Sequence, residues 1–221
     1  MKTITVFLLA LVFYVFLSTR LFITEKEYSV SEWTSIYVSG PIKVYYTQND
    51  ENKLVIKADN GLHKHLDIKV ENKVLKIIPT KSIRRERVLK VYVSSPKIES
   101  IHMTGATWFL SNNLVKAKNL KVIGAGAAEI KLRSKTDTLF VNMSLASNIQ
   151  LAGNCDKLNV YTKNIGDLNA YNLEANYCFI QADVKQLNSK IIRLNVGKEL
   201  RLNSSIKRYV KLKGNPKITE Y

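Results

Sequence analysis

The sequence predicts an all-β fold, a single-stranded parallel β-solenoid (β-helix) with turns of about 19 residues. Three observations support this prediction. Apolar residues recur every nineteen residues, apolar and polar residues alternate inside each repeat, and small residues recur where the chain must bend. The apolar residues form three columns: Leu120, Leu139, Leu158 and Tyr177; Val122, Val141, Val160 and Phe179; and Ile130, Ile149, Leu168 and Leu187.

A single repeat is too short to close a core, so its apolar row is covered only when neighbouring turns stack on it at roughly 4.8 Å. Within one repeat, Leu120 and Val122 are predicted to point inward while Lys121 points to solvent. Small residues, as in Gly124–Ala127, fit the bends because a bulky side chain would clash with the turn above.

The N-terminus carries an apolar leader, predicted to be helical. Lys2 precedes an apolar run from Ile4 to Leu17 in which Thr5 is the one polar residue, and this is the layout of a secretory signal. The residues that follow make a poor cleavage site, so residues 1–23 are interpreted as either a signal peptide or an uncleaved membrane anchor. In both cases we expect the folded part to lie in the cell envelope, in the periplasm or at the outer surface.

One domain is expected over residues 30–218, with a β-hairpin cap over residues 30–98 and the repeat coil over residues 99–218. The first part alternates without the nineteen-residue repeat, which favours hairpin strands that cover the first edge of the solenoid. Asn49–Asn52 and Glu71–Lys73 are predicted to be the turns of two hairpins.

The coil is less regular at its two ends. A looser unit about twenty-one residues before the series places Ile101 under Val122 and Phe109 under Ile130. A later unit has about four extra residues, which predicts one loop insertion. With that offset, Leu202 is expected in the column of Phe179, and Val210 and Leu212 are expected to follow the column of Leu187.

Two segments and the glycine-alanine bends resemble a known family. Tyr37–Gln48 combines strand alternation with Gly40–Pro41, and Val210–Ile218 combines it with the sequence Gly-Asn-Pro. These segments are similar to the GIN-domain family, the head domain of proposed bacterial auto-transporter adhesins, an envelope family of unknown function. The resemblance spans roughly Trp33 to Ile218 and implies a β-helical fold, a cell-envelope location and a role in adhesion.

Composition and motifs exclude several classes of protein. With 221 residues and 46% hydrophobic residues, the chain is typical of one globular domain. Cys155 and Cys178 would lie on adjacent turns but about 13 Å apart along the strand, too far for a disulfide. We find no CxxC or HxxxH spacing, no glycine-rich phosphate loop and no nucleophile motif, so no metal site, cofactor or catalytic residue is predicted.

The charge is the strongest functional signal. The formal net charge is +16, and between Lys185 and Lys217 ten Lys or Arg residues face one acid, Glu199. A basic surface of this kind attracts polyanions, and outside the cytoplasm these are anionic glycans and lipid surfaces. Nucleic acid is disfavoured because this segment has one aromatic residue, Tyr209, for stacking on bases. The predicted polyanion-binding residues are Lys190, Arg193, Arg201, Lys207, Arg208, Lys211 and Lys213.

An alternative function comes from one outward column. Glu129, Asn148, Asp167 and Gln186 should stack on successive turns, which places Glu129 and Asp167 about 9 to 10 Å apart. Two carboxylates near that separation are compatible with an inverting glycosidase, so a polysaccharide-cleaving β-helix enzyme is one alternative. A structural stalk without a ligand is another, because surface lysines also protect sheet edges. The preferred interpretation is a non-enzymatic envelope protein that binds or adheres through a rigid basic face.

Overall fold

The computed structural model describes residues 22–84, 88–164, 166–183 and 192–221. The strands of the first part are β1 (Ile23–Tyr28), β2 (Ser35–Ser39), β3 (Lys43–Gln48), β4 (Lys53–Asp59), β5 (Leu66–Glu71), β6 (Val74–Pro79), β7 (Leu89–Ser95), β8 (Ser100–Thr104) and β9 (Trp108–Ser111). The later strands are β10 (Val115–Gly124), β11 (Glu129–Leu145), β12 (Asn148–Asn164), β13 (Leu168–Ala182), β14 (Ile192–Leu202), β15 (Val210–Lys213) and β16 (Lys217–Glu220). The described residues also form the short 3₁₀ helices His63–His65 and Ser204–Tyr209.

The strands build a parallel β-solenoid of about six turns, as predicted. From β10 onward each turn pairs in parallel with the turn before it. Leu120, Leu139 and Leu158 lie in one register and are buried. Two further predicted columns are in register, namely Val122, Val141 and Val160, and Ile130, Ile149 and Leu168. The looser unit before them is also in register, since Ile101 pairs with Val122 and Phe109 pairs with Ile130.

One continuous core runs through the interior of the coil. The cluster of buried apolar side chains extends from Trp33 to Ile206, and most of its members have no exposed surface. Since a buried Leu, Ile or Val side chain contributes roughly 1.5–3 kcal/mol by leaving water, the stacked columns are the main source of stability.

Glycine is required where one turn passes closely over the next. Gly153 has a φ of +106°, and a Cβ added there would lie 2.0 Å from the carbonyl oxygen of Ser134 on the neighbouring turn. Gly126 has a φ of +70° and lies directly against Gly105. These contacts confirm the steric reason for small residues at the bends.

The first part of the chain stacks out of sequence order. β2 lies between β6 and β8, and β3 lies between β7 and β9, in parallel register throughout. The turn formed by β6 and β7 therefore packs on the outside of the turn formed by β2 and β3. The antiparallel strands β1, β4 and β5 flank these turns and form the end of the sheet.

One of the two predicted hairpins is present in the structure and the other is not. β5 and β6 are antiparallel and joined at Asn72 and Lys73, which have φ values of 51° and 60°, so this hairpin is confirmed. The hairpin expected at Asn49–Asn52 is wrong, because β3 does not pair with β4. β3 pairs in parallel with β7 and β9, and β4 pairs antiparallel with β1 and β7.

A bulge in β13 changes the register of the fourth repeat. Gln150 pairs with Asn169 and Ala152 pairs with Asn172, so two residues of β13 oppose one residue of β12. One added residue exchanges the inward and outward faces of everything that follows in the strand.

The columns predicted to include Tyr177 and Phe179 are therefore wrong by one residue. Cys178 pairs with Leu158 and is buried, whereas Tyr177 and Phe179 point to solvent. Leu202 follows the corrected register and pairs with Ile180 instead of Phe179.

The last repeats confirm the predicted insertion but show that the column expected to include Leu187 continues with another residue. Ile192 pairs with Leu168, so it occupies the position predicted for Leu187, which lies outside the described residues. Val210 and Leu212 then pair with Ile192 and Leu194.

Residues 1–21 of the predicted leader are also outside the described residues, and Ile23 begins β1. In the part of the chain that the structure describes, no helix has the length and apolarity to span a membrane.

Candidate binding surface

The predicted polyanion-binding residues are distributed around the C-terminal turns. Arg193 and Lys211 are register partners on β14 and β15, so their side chains share one face of the coil. Arg201 lies on β14 after the next bend and pairs with Thr219 of β16. Lys213 pairs with Asn195 at the rim of a groove described below. Lys190 lies outside the described residues.

Two of the predicted cations are already engaged within the protein. The Lys207 ammonium lies 2.5 Å from Glu220 Oε1, and the pKa of Glu220 is lowered mainly by this hydrogen bond. The guanidinium of Arg208 lies over the ring of Tyr209 and donates to its hydroxyl. The structure therefore brings together Arg193 and Lys211, leaves Arg201 and Lys213 accessible at other positions, and ties Lys207 and Arg208 to neighbours.

The face that carries Arg201 also carries exposed aromatic side chains, which we call the aromatic strip. Its members, with their exposed fractions, are Phe140 (45%), Tyr161 (37%), Tyr177 (39%), Phe179 (36%) and Tyr221 (50%). They lie at outward positions of β11, β12 and β13 and directly after β16. Because neighbouring strands are about 4.8 Å apart, Phe140 and Phe179, two turns apart in one column, are separated by about 10 Å.

Local packing fixes the position of the strip at its C-terminal end. The rings of Phe179 and Tyr221 are stacked, with centroids 5.6 Å apart and an interplanar angle of 13°. The Tyr221 hydroxyl donates to the carbonyl of Ile180. The bulge in β13 is the reason that Tyr177 and Phe179 belong to this surface and not to the core.

Cations accompany the rings of the strip. Lys163 Nζ lies 5.7 Å from the ring centroid of Tyr161, and Lys198 Nζ lies 5.5 Å from that of Tyr177. Lys121 is the register partner of Phe140, and Arg201 is that of Phe179. The strip thus combines flat apolar rings with positive charge, an arrangement that favours ligands with both apolar faces and anionic groups.

A groove of about 1320 Å³ runs along a different side of the coil. Its lining includes the small residues Ala117 and Ala175. Its walls carry mixed charge, with Lys116, Lys118, Lys135 and Lys213 alongside Asp137, Asp156 and Glu174. The Asn176 amide donates to Asp156 Oδ1 at 2.9 Å. The mixed charge gives this groove no strong preference for anions or cations.

The predicted acid column is formed as expected over its described part. Glu129 pairs with Asn148, and the backbone N–H of Asp167 donates to Asn148 Oδ1 at 2.9 Å. Gln186 lies outside the described residues. The Glu129 carboxylate lies 3.0 Å from Lys131 Nζ in an ion pair.

The two cysteines are free, as predicted, and both are buried. They lie on neighbouring turns, where Cys155 pairs with Ala175 and Cys178 pairs with Leu158. Burial, followed by the nearby charge of Asp156, raises the pKa of Cys155 to about 12, and burial also raises the pKa of Cys178. Both thiols are therefore unreactive core residues. Among the described residues, no group of three or more His, Cys, Asp or Glu side chains is placed to hold a metal ion.

These observations define a class of protein, a β-solenoid that displays a basic and aromatic surface. A family described as "Putative auto-transporter adhesin, head GIN domain" matches residues 32–216. The chain belongs to this family, which confirms the resemblance found in the sequence. Membership in an adhesin family indicates a protein of the cell envelope or surface.

Solved structures show the same fold at low sequence identity. A "putative adhesin" from Bacteroides fragilis is 20% identical with a TM-score of 0.76, covering 90% of this chain and 92% of that chain. A "putative adhesin" from Parabacteroides distasonis is 16% identical with a TM-score of 0.69, covering 91% and 94%. A "Putative lipid binding protein" from the same species is 19% identical with a TM-score of 0.66, covering 90% and 92%. No curated protein matches the sequence.

Proposed function

We propose that this chain is a non-enzymatic binding head of the cell envelope that adheres to anionic glycans or anionic lipid surfaces through the basic surface of its C-terminal turns. The observation that carries the proposal is the charge of residues 192–221, where eight Lys or Arg side chains accompany two acidic ones, Glu199 and Glu220. Such an excess creates a positive potential that concentrates anionic polymers near the surface.

The accessible cations favour the binding of an anionic ligand. Arg201, Lys211 and Lys213 are exposed, and none of them forms an ion pair with another described residue. A cation without an internal partner keeps its full charge for a ligand, apart from screening by salt. A stalk without a ligand needs lysines only at its open edges, whereas Arg201 also borders the aromatic strip.

The rigidity of the coil favours binding by a preformed surface. β12, β13 and β14 are joined by parallel ladders with register shifts in β13, and the strand pairing on both sides of these shifts holds the outward side chains on a fixed backbone. A preformed surface loses less conformational freedom on binding than a flexible one. The proposal therefore requires no folding of this surface when the ligand arrives.

Retention on heparin, which is an anionic glycan, and on vesicles rich in phosphatidylglycerol tests the proposal. We expect retention on at least one of them that falls steeply as salt rises. The triple variant Arg201→Glu, Lys211→Glu and Lys213→Glu should abolish it. A control with the same change in charge uses three exposed lysines of the first part of the chain, namely Lys43, Lys64 and Lys97. Retention that survives the first triple variant, or is lost equally in the control, contradicts the proposal, and inertness of the wild type supports a stalk.

The non-enzymatic part of the proposal has its own test. The alternative function uses Glu129 and Asp167 to cleave a polysaccharide, and its acids would have to act beside Lys131, which already pairs with Glu129. We expect no new reducing ends when the protein is incubated with acidic and neutral polysaccharides. Turnover that is lost in Glu129→Gln or Asp167→Asn would overturn this part of the proposal.

The attachment to the envelope is also a proposal. We infer that the apolar segment 1–23 exports the chain and either remains as a membrane anchor or is removed as a leader. Cell fractionation followed by N-terminal sequencing of the mature protein separates the two. Recovery of the chain with its native N-terminus in the cytoplasm would contradict export.

A further inference from the structure

The aromatic strip (Phe140, Tyr161, Tyr177, Phe179 and Tyr221) is a feature that charge alone does not explain. We propose that it is the place where an acidic polysaccharide lies, with sugar rings stacked on the aromatic side chains and acidic groups paired with the flanking cations. This inference rests on the proposed function, because it names the ligand class and the face of the coil that binds it.

The exposure of the strip is the first argument. Its five rings lie on one face of the sheet and are each at least 36% exposed. Exposed apolar surface that is grouped on one face marks a binding surface more often than scattered single residues do. The register makes this exposure systematic, since Phe140 and Phe179 occupy one outward column and Tyr161 lies in the next column on the turn between them.

The chemistry of the rings favours sugars. The face of an aromatic ring is negative and attracts partially positive edges, and the C–H groups on one side of a pyranose ring form such an edge. The rings are held on a rigid sheet, and Tyr221 is fixed further by its hydrogen bond to Ile180 and its stacking on Phe179. A sugar that stacks on a fixed ring therefore binds with little loss of side-chain conformational freedom.

The cations of the strip favour sugars that carry acidic groups. Lys163 and Lys198 lie over the rings of Tyr161 and Tyr177, and Arg201 lies beside Phe179. A sugar stacked on one of these rings would place a carboxylate or sulfate within reach of a cation. Charge-assisted hydrogen bonds of this kind are about twice as strong as neutral ones.

Amide side chains between the rings argue for a glycan over a lipid surface. Asn159 separates Phe140 from Phe179 in their column, and Asn142 and Gln181 flank Tyr161 in the other. Amides bind sugar hydroxyls well, but burying them in lipid without a hydrogen-bond partner is unfavourable. The repeat of rings and amides along the coil axis also suits a polymer built from repeating units.

The test compares three probes, which are polygalacturonate, long-chain polyphosphate and phosphatidylglycerol vesicles. Polygalacturonate has sugar rings and acidic groups, whereas polyphosphate has charge without rings. The variant Tyr161→Ala, Tyr177→Ala and Phe179→Ala should lower the affinity for polygalacturonate by about tenfold or more. Its affinity for polyphosphate should change less than about twofold, because no charge is removed. A thermal melt confirms that the variant is folded.

The matched control removes three aromatic side chains elsewhere on the surface. Tyr45 packs against both Tyr92 and Trp108 on another side of the coil, and replacement of all three by Ala should leave all three affinities unchanged. Equal losses for polygalacturonate and polyphosphate in the strip variant, or losses in the control instead, would overturn the inference. A loss confined to the vesicles would overturn it in favour of a lipid surface. If the wild type binds polyphosphate but not polygalacturonate, this inference fails while the proposed function stands. If the wild type binds none of the probes and is not retained on heparin, both fail.

Discussion

The two parts of the solenoid reach the same architecture by different routes. In the coil formed by β10–β16, each turn stacks on the turn that precedes it in the sequence. In the first part, the turn of β2 and β3 lies between two turns that come later in the chain. A regular spacing in the sequence predicts stacking only where neighbours in sequence are also neighbours in space.

The two parts are held together by the same interactions, namely apolar columns, parallel backbone ladders and side-chain hydrogen bonds between turns. Such hydrogen bonds join Tyr46 to Ser95 and Gln48 to Lys116 in the first part, and Asn176 to Asp156 in the coil. The two parts differ in position and in the surface that they expose. Since the first part closes the end of the core and the C-terminal turns display the aromatic strip, we interpret the former as the scaffold and the latter as the binding surface. The following changes test this division.

The largest expected effect comes from crowding a bend of the coil. The change Gly153→Ala places a Cβ against the carbonyl of Ser134 and keeps a positive φ, which should lower the free energy of unfolding by about 4 kcal/mol or more. Gly61 also has a positive φ, but nothing lies within 4 Å of its added Cβ, so Gly61→Ala should cost only about 1 kcal/mol. Urea denaturation measures both. Equal costs would show that the turns are not in close contact at Gly153.

Truncation of buried leucines tests whether both parts share one core. Leu139 in the coil and Leu75 in β6 are fully buried, and each change to Ala should cost about 3 kcal/mol. One core predicts a single unfolding transition in both variants, observed together by circular dichroism and tryptophan fluorescence. Two separate transitions in either variant would show that the two parts unfold independently.

A smaller effect compares buried hydroxyl groups in the two parts. The Tyr46 hydroxyl hydrogen bonds to Ser95, and Tyr46→Phe should cost about 1 kcal/mol because the bond is lost. Thr136 in the coil is buried, and its Oγ1 has no hydrogen-bond partner among the described residues. Thr136→Val should therefore be neutral or slightly stabilising. Thermal unfolding checks both changes, and a destabilised Thr136→Val would indicate a hydrogen bond at that hydroxyl.

The smallest effect concerns His102, which lies on β8 where the two parts meet, between Tyr37 and Ile123. Burial, and then the charge of Lys121, lowers the pKa of His102 in the folded protein. As pH falls through about 6.5, the unfolded chain takes up a proton that folded His102 resists, so stability should decrease. His102→Gln should reduce this decrease between pH 7 and pH 5. An identical pH dependence in the wild type and the variant would contradict the assignment.

Much of the coil could be predicted from the sequence, because its columns repeat at a fixed spacing. That spacing correctly predicts one column for Leu120, Leu139 and Leu158. The bulge in β13 could not be predicted, since inward and outward residues still alternate after it. The added residue only places Cys178, instead of Tyr177, at the inward position beside Leu158. The order of turns in the first part could not be predicted either, because the sequence of β3 does not indicate which distant strands it pairs with.

The candidate surface was predicted only in part. The excess of cations was visible in the sequence, but the partners of Lys207 and Arg208 depend on the fold. The aromatic strip does not follow from the sequence pattern, because the nineteen-residue spacing predicts that Tyr177 and Phe179 lie in the core. Their mismatch with the aliphatic residues of the columns, Leu158 and Val160, was the signal that could have revealed it.

The most direct test of the division is hydroxyl-radical footprinting with and without polygalacturonate. If the C-terminal turns are the binding surface, oxidation of Tyr161, Tyr177 and Phe179 should fall severalfold in the complex, while oxidation of Tyr92 on the first part, which is 38% exposed, should be unchanged. Protection of Tyr92 with no protection of the three strip residues would contradict the account.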